Sequence, residues 1–382
     1  MFNFIFQNPV KIVFGKGQIA AIACEVPQGA RVLVTYGGGS VEKNGTLAQV
    51  RNALKGRAIV EFGGIGPNPT YETLMKAVEL GRKEKIDFAL AVGGGSVIDG
   101  TKFIVAAIPF DGEPWDILSK AASIKMALPF GTVLTLPATG SEMNCGAVIS
   151  RKETKDKLVF LDPKVFPLFS VLDPTTTYSL PPRQVTNGIV DSFVHVMEQY
   201  LTFPAHAPLQ DRFAESILQT LIEVGPKTLA NPQDYDARSS LIWCATMALN
   251  GLIGQGVPQD WSTHMIGHEL TALYGLDHGQ TLAMLLPANM RVRQKAKHAK
   301  LLQYAHRVWN VHESSERNMI DEAIKQTAAF FEAIGAPTTM KDHGLTCDVE
   351  GVLAQLKRHN LTALGERRDV MPDVFRQILE LI

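Results

Sequence analysis

Asp191 and His195 stand four residues apart in Asn187-Gly-Ile-Val-Asp-Ser-Phe-Val-His195, and His264, His268 and His278 gather further along in His264-Met-Ile-Gly-His-Glu-Leu-Thr-Ala-Leu-Tyr-Gly-Leu-Asp-His278. Residues four apart share one face of a helix. Asp191 with His195, and His264 with His268, can therefore each present two donors to one point, while His278 is expected on a following loop. One carboxylate with several imidazoles suits a borderline divalent ion, zinc or ferrous iron, whereas calcium and magnesium take oxygen ligands. The competing account of any single pair is an ordinary surface ion pair. Against it stand the apolar neighbours Ile189, Val190, Phe193, Val194 and Met197 of the first pair and Met265, Ile266 and Leu270 of the second. Such helices are expected to be buried, and a buried ionisable group needs a partner. Spacing alone leaves open which of the five side chains bind.

The elements that must carry these residues change character along the chain. Arg31–Tyr36, Arg57–Phe62, Phe88–Val92 and Gly131–Leu136 are short apolar runs, and Thr70–Glu84 has helical spacing through Leu74, Ala77, Val78 and Leu80. Apolar strands alternating with amphipathic helices predict a parallel sheet covered on both faces. From Arg183 onward the pattern is helical, clearest over Arg183–Leu201, Leu209–Glu223, Asp236–Ile253 and Trp261–Tyr274. The expected fold is an α/β domain over 1–178 followed by an all-α domain over 179–382. The boundary falls in Leu172-Asp-Pro-Thr-Thr-Thr-Tyr-Ser-Leu-Pro-Pro182, where Pro, Ser and Thr stop one element and start the next.

Two of the strands run into the same four residues, Gly37-Gly38-Gly39-Ser40 and Gly93-Gly94-Gly95-Ser96. A glycine turn from strand to helix bares backbone N–H groups at a positive helix end, where phosphates bind. It is also what any tight strand–helix turn requires. Two such turns in one alternating domain point to a ligand with several phosphates, such as a dinucleotide, although neither matches GxGxxG. Tyr36 to Val41 holds no acid that would accept from an adenosine 2′-hydroxyl and repel a 2′-phosphate, so Gly38, Gly39 and Ser40 favour NADP over NAD. Leu136-Pro-Ala-Thr139-Gly-Ser141-Glu is a third loop after a strand, suited to pyrophosphate or ribose contacts or to a purely structural use.

Composition excludes other classes. The chain of 382 residues carries a formal net charge of −1, so nothing favours nucleic acid or an anionic membrane surface. Apolar residues at 46% and charged ones at 20% are those of a globular protein. Cys24, Cys145, Cys244 and Cys347 form no CxxC pair and no disulfide framework, which fits a reducing, cytoplasmic setting. Met1–Pro9 lacks a basic stretch followed by a clean apolar one, and no apolar run reaches membrane-spanning length, so neither a secretory signal nor a membrane anchor is expected.

Taken together, these motifs resemble the iron-containing (group III) alcohol dehydrogenases over essentially the whole chain. The resemblance rests on Phe14-Gly-Lys-Gly17, Gly93-Gly-Gly-Ser-Val-Ile-Asp-Gly-Thr-Lys102, Leu136-Pro-Ala-Thr-Gly-Ser-Glu142, Leu172-Asp-Pro174 and Asp-x3-His…His-x3-His-x9-His. Val34–Ser40, Glu61–Pro69 and Gly256–Trp261 are similar to the bacterial butanol-dehydrogenase subgroup and its NADPH-dependent broad-range aldehyde reductases of the YqhD type. The resemblance implies an N-terminal dinucleotide domain, a helical metal-binding domain and a site in the cleft between them. It implies metal ligation by Asp191, His195, His264 and His278, with His268 beside them as a substrate or proton-relay group. Asp99, Thr135, Thr139, Ser141 and Lys157 fall where the family contacts cofactor. The expected activity interconverts short- to medium-chain aldehydes and primary alcohols, with NADP(H), one divalent metal (zinc or iron) and a homodimer. Alternatives are an NAD-dependent glycerol-type dehydrogenase or dehydroquinate synthase-like chemistry on a related fold. From other classes come a zinc hydrolase, for which His264-x3-His268-Glu269 puts the glutamate outside the pair, and a non-catalytic metal- or nucleotide-binding protein.

Overall fold

The apolar runs of the first half become the strands of one parallel sheet. In the computed structural model, which describes residues 1–382, these are β1 (Lys11–Phe14), β2 (Arg31–Tyr36), β3 (Ala58–Phe62), β4 (Phe88–Gly94), β5 (Phe130–Leu136) and β8 (Phe169–Leu172). Their order across the six-stranded sheet is β1-β8-β5-β4-β2-β3, every neighbouring pair parallel. The remaining two strands, β6 (Gly146–Arg151) and β7 (Asp156–Leu161), form an antiparallel hairpin. Helices Thr46–Ala53, Tyr71–Lys83 and Gly95–Ala107 lie between strands. Val32, Val34, Leu90, Val92, Val133 and Val171 bury their side chains with Ile22, Leu47, Val50 and Leu54. A strand covered on both faces has no polar side to alternate with, and β4 is buried from Phe88 to Gly93.

The order places a switch point in the sheet. From β2 the chain crosses to β3 on one side and then to β4 on the other. In open parallel sheets, ligands bind outside the carboxyl ends of the strands where the order reverses. Both glycine clusters sit there, one after β2 and one at the end of β4, with the Thr139–Ser141 loop after the adjacent β5.

Pro181–Ile382 forms a second compact unit together with Met1–Phe6, and Gln7–Leu180 forms the first. This unit is built from helices, joined by a single bridge pair between Leu364 and Val370. Its centre is the helix Pro182–Tyr200, which starts on proline as a first helical turn permits and is buried almost throughout from Val185. Phe193 on that helix meets Phe331 edge to face at a centroid distance of 5.3 Å. Around it stand Pro208–Ala230, Tyr235–Ala248, Ser262–Tyr274 and His278–Val292.

Candidate metal centre and cofactor cradle

Three imidazoles converge on one carboxylate oxygen. Asp191 Oδ1 lies 3.5 Å from His195 Nε2, 3.6 Å from His264 Nε2 and 3.7 Å from His278 Nε2. These separations are too long for hydrogen bonds, and buried Asp191 Oδ1 and His264 Nε2 make none. Four donors held tetrahedrally at about 2.1 Å from one ion stand about 3.4 Å apart. Asp191, His195 and His264 thus form a compact donor group of the borderline kind the sequence suggested, and His278 approaches it through Asp191. The ligand atoms of Asp191, His195 and His264 all lie within 4.8 Å of one another, and these three are buried. The His278 side chain keeps 24% of its surface exposed. Rings enclose the group: His195 stacks on His264 at 4.6 Å, and Trp261 stands edge to face against His264 at 5.4 Å.

Electrostatics favour a cation at this point. Burial opposes the Asp191 carboxylate, but His195, His264 and His278 outweigh it and hold its pKa well below the usual carboxylate range. Burial likewise opposes charge on His264, yet Glu198 and Asp191 raise its pKa to about 9. A protonated imidazole cannot ligate, so metal binding must release that proton.

Helix starts deliver two of the imidazoles. His278 is the first residue of His278–Val292, not part of a loop as its surroundings in the sequence suggested. Asp277 caps that helix in a capping box with Gln280 and accepts from Arg183 Nε at 2.7 Å and Asn187 Nδ2 at 2.6 Å. A Cβ on Gly279 would lie 2.6 Å from the Asn187 Cα, so glycine is what lets this helix start approach the one carrying Asp191. His264 sits in the first turn of Ser262–Tyr274, behind Trp261 in the left-handed conformation at φ 61°. Glu198, one turn past His195, receives the Nδ1 of His264. His268, one turn beyond His264, has its ring centroid 5.0 Å from that of His278.

The cradle in the first unit is built by close packing. A Cβ on Gly93 would meet Val97 at 2.6 Å, on Gly94 the Leu136 Cβ at 2.9 Å, and on Gly95 the Thr139 hydroxyl at 2.4 Å. Val97 also lies 3.7 Å from a Cβ built on Gly37, so one side chain separates the two glycine turns. The helix Gly95–Ala107 starts behind Gly94 with no side-chain cap, the kind of helix start whose first N–H groups an anion can satisfy. Asp99 and Ser141 hold each other: Ser141 Oγ donates to Asp99 Oδ1 at 2.6 Å, and Val148 N donates to Asp99 Oδ2 at 2.9 Å. Burial raises the Asp99 pKa, against the pull of Lys102, the two hydrogen bonds and Lys157. Thr135 is buried on β5, Thr139 Oγ1 accepts from Ser141 N, and Lys157 pairs with Ser150 across the hairpin. Gly38 and Ser40 are exposed beside the first turn. Glu42 and Glu61 are both held by Arg51, at 2.9 and 2.7 Å, so one cation partly offsets the two carboxylates near this turn.

Sequence reasoning passed over Glu198, Asp277, Gly279, Lys102 and Arg51. Two had a readable signal. Glu198 lies seven residues after Asp191, on the same helical face, and Asp277-x-x-Gln280 is a capping box. The others act through tertiary contacts that no local pattern reports.

Comparison with known proteins identifies the family. The model of the iron-containing alcohol dehydrogenase family matches residues 9–174, and that of the Fe-containing alcohol dehydrogenase family C-terminal region matches 185–380. The NADPH-dependent aldehyde reductase YqhD of Escherichia coli is 58% identical over 384 residues, covering 100% of this chain and 99% of that protein. The probable NADH-dependent butanol dehydrogenase 1 of Bacillus subtilis is 43% identical, covering 90% of each chain. The crystal structure of E. coli YqhD superposes with a TM-score of 0.98 over 99% of this chain and 98% of that one, at 58% identity. Two family models that together span nearly the whole chain, and a relative this close along its full length, place the protein in the iron-containing alcohol dehydrogenase family.

Proposed function

We propose that this protein is a divalent-metal-dependent NADP(H) alcohol dehydrogenase that reduces short- to medium-chain aldehydes to primary alcohols and can run in reverse. The observation that carries the reading is the convergence of three imidazole nitrogens on Asp191 Oδ1 at 3.5–3.7 Å. Asp191, His195, His264 and His278 would hold zinc or ferrous iron. When bound, the metal supplies Lewis-acid polarisation of a carbonyl oxygen and the nicotinamide supplies the hydride. The chain's own part is placement and proton supply. Gly94, Gly95 and Ser96 at the start of Gly95–Ala107 would hold the pyrophosphate, with Thr135, Thr139, Ser141, Asp99 and Lys157 shaping the loops around it. Gly37 to Ser40 would receive the adenosine 2′-phosphate. His268 would deliver at a ring nitrogen the proton the product hydroxyl needs. Trp261, packed on His264 and His195, shields that side from water.

The test is NADPH consumption at 340 nm with butanal, using protein stripped of metal and reloaded with zinc or iron. Activity that returns with metal is the expected result, and full activity without any metal would overturn the reading. The names of the relatives divide between NADPH and NADH, so both cofactors belong in the assay. A homodimer is part of the proposal, supported by the exposed apolar side chains Phe4, Ile5 and Phe6, of which Ile5 is 95% exposed. Its check is the mass in solution by light scattering. A cytoplasmic setting is supported by four unpaired cysteines, with Cys24 at the surface. No helix is long and apolar enough to cross a membrane.

A further inference from the structure

We propose that Glu198 is a positioning residue of the metal centre, one carboxylate that both fixes the tautomer of His264 and caps the helix that carries it. The inference rests on the metal reading above. The helix Ser262–Tyr274 begins without a side-chain cap of its own, behind Trp261 at φ 61°, a conformation costly for a bulky residue. Its orphan N–H groups are received from another helix instead. Glu198 Oε1 accepts from Thr263 N at 2.5 Å, and Oε2 accepts from His264 N at 3.2 Å and lies in hydrogen-bonding contact with His264 Nδ1. The Glu198 backbone carbonyl accepts from Asp260 N at 2.9 Å, and Asp260 Oδ1 in turn accepts from Ser262 N at 2.9 Å. The left-handed turn at Trp261 is thus clamped from both sides.

The consequence for the imidazole follows from what a carboxylate can do. Ionised, it only accepts, so once the imidazole has released a proton to become a ligand the Nδ1 facing the carboxylate keeps its hydrogen and Nε2 offers the lone pair. That lone pair is on the Asp191 side, 3.6 Å from Oδ1. Glu198 itself is 3% exposed, so no water competes freely for its oxygens. Carboxylate partners of this kind orient a ligating imidazole and raise its basicity.

Glu198→Gln separates this role from capping alone. Its amide oxygen can still accept from Thr263 N, but its NH2 meets His264 Nδ1 as a donor and favours the tautomer with the proton on Nε2. Zinc affinity of the folded protein, measured by competition with a chromophoric chelator, should fall about 10–100-fold. A residue that merely capped the helix would lower the melting temperature and leave the zinc affinity of the folded protein unchanged, and that result overturns the proposal. Should the variant not fold, nitrogen-15 NMR of histidine-labelled, zinc-loaded wild type decides. A proton on His264 Nδ1 supports the proposal, and a proton-free Nδ1 overturns it. A wild type that binds no zinc would instead defeat the metal reading, and this inference with it.

Discussion

Lys102 Nζ donates to Ser141 Oγ at 2.8 Å, and Ser141 Oγ passes its own proton toward Asp99 Oδ1 at 2.6 Å. The other two ammonium donors go to Asn144 Oδ1 at 2.9 Å and Gly146 O at 2.8 Å. One fully buried cation therefore fastens the helix behind the second glycine turn to the loop after β5 and to the first residue of the β6–β7 hairpin. The second glycine turn and the loop after β5 owe their mutual placement in part to it.

Lys102→Met should accordingly destabilise the first unit. It strips Ser141 Oγ, Asn144 Oδ1 and Gly146 O of a charged donor and leaves Asp99 without the cation linked to it through Ser141, a loss of about 1–3 kcal/mol. The two hydrogen bonds that Asp99 keeps argue for the lower end. The pH dependence has a definite sign. Burial brings the Lys102 pKa down to about 8 from 10.5, despite Asp99. Between those values the unfolded chain holds more protons than the folded one, so the Lys102 contribution becomes more favourable as pH rises from about 8 to 10.5. Urea unfolding of wild type and variant across that range should show their gap widening. A constant gap would mean that Lys102 stays charged throughout.

Gly279→Ala tests how the helix start at His278 is seated. The added methyl meets the Asn187 backbone at 2.6 Å, which cannot yield as a side-chain tip would. Overpacking of this kind costs about 1–3 kcal/mol. Because His278 is the adjacent residue, bound metal per chain should fall along with the melting temperature. Unchanged metal content by elemental analysis would show that the seat tolerates the shift.

How far such features were legible depends on their range. β2 and β4 could be read because both faces are buried and their apolar runs are unbroken, while β1 and β8 are four residues each, too short to show a period. Asp191 and His195 announced themselves by helical spacing. His278 was read as a loop residue because Gly275 closes the preceding helix, and the capping box that opens the next was overlooked. The Arg51 clamp on Glu42 and Glu61 joins a helix, a short turn of helix and a strand, and only the fold brings them together.

His278→Ala and His268→Ala should part company. The first removes one of the converging donors and should lose both metal and activity. The second should keep the metal and lower kcat, because general acid–base groups are worth about 10²–10⁴-fold and water can replace part of this one. The discriminating measurement is metal content beside kcat for each variant. Loss of metal from His268→Ala would move that residue into the ligand set.

Cofactor choice gives the last test. The first glycine turn itself has no acid, and Arg51 partly offsets the nearby charges of Glu42 and Glu61. NADPH should therefore be preferred to NADH, chiefly through KM, since the 2′-phosphate lies far from the hydride and binds ground and transition states alike. An aspartate here should repel that phosphate and accept from the 2′-hydroxyl of NADH. Gly39 is a poor place for it: at φ 101° any side chain is strained. Gly38 is exposed, lies outside the left-handed region, and has no atom within 4 Å of an added Cβ, so Gly38→Asp changes charge without disturbing the turn. A charge-assisted hydrogen bond contributes roughly 1.5–3 kcal/mol, which corresponds to a shift in preference toward NADH of about ten- to a hundredfold. Ratios of kcat/KM for the two cofactors in wild type and variant measure it directly. A wild type indifferent to the 2′-phosphate, or a variant with an unmoved ratio, would place the adenosine end away from this turn.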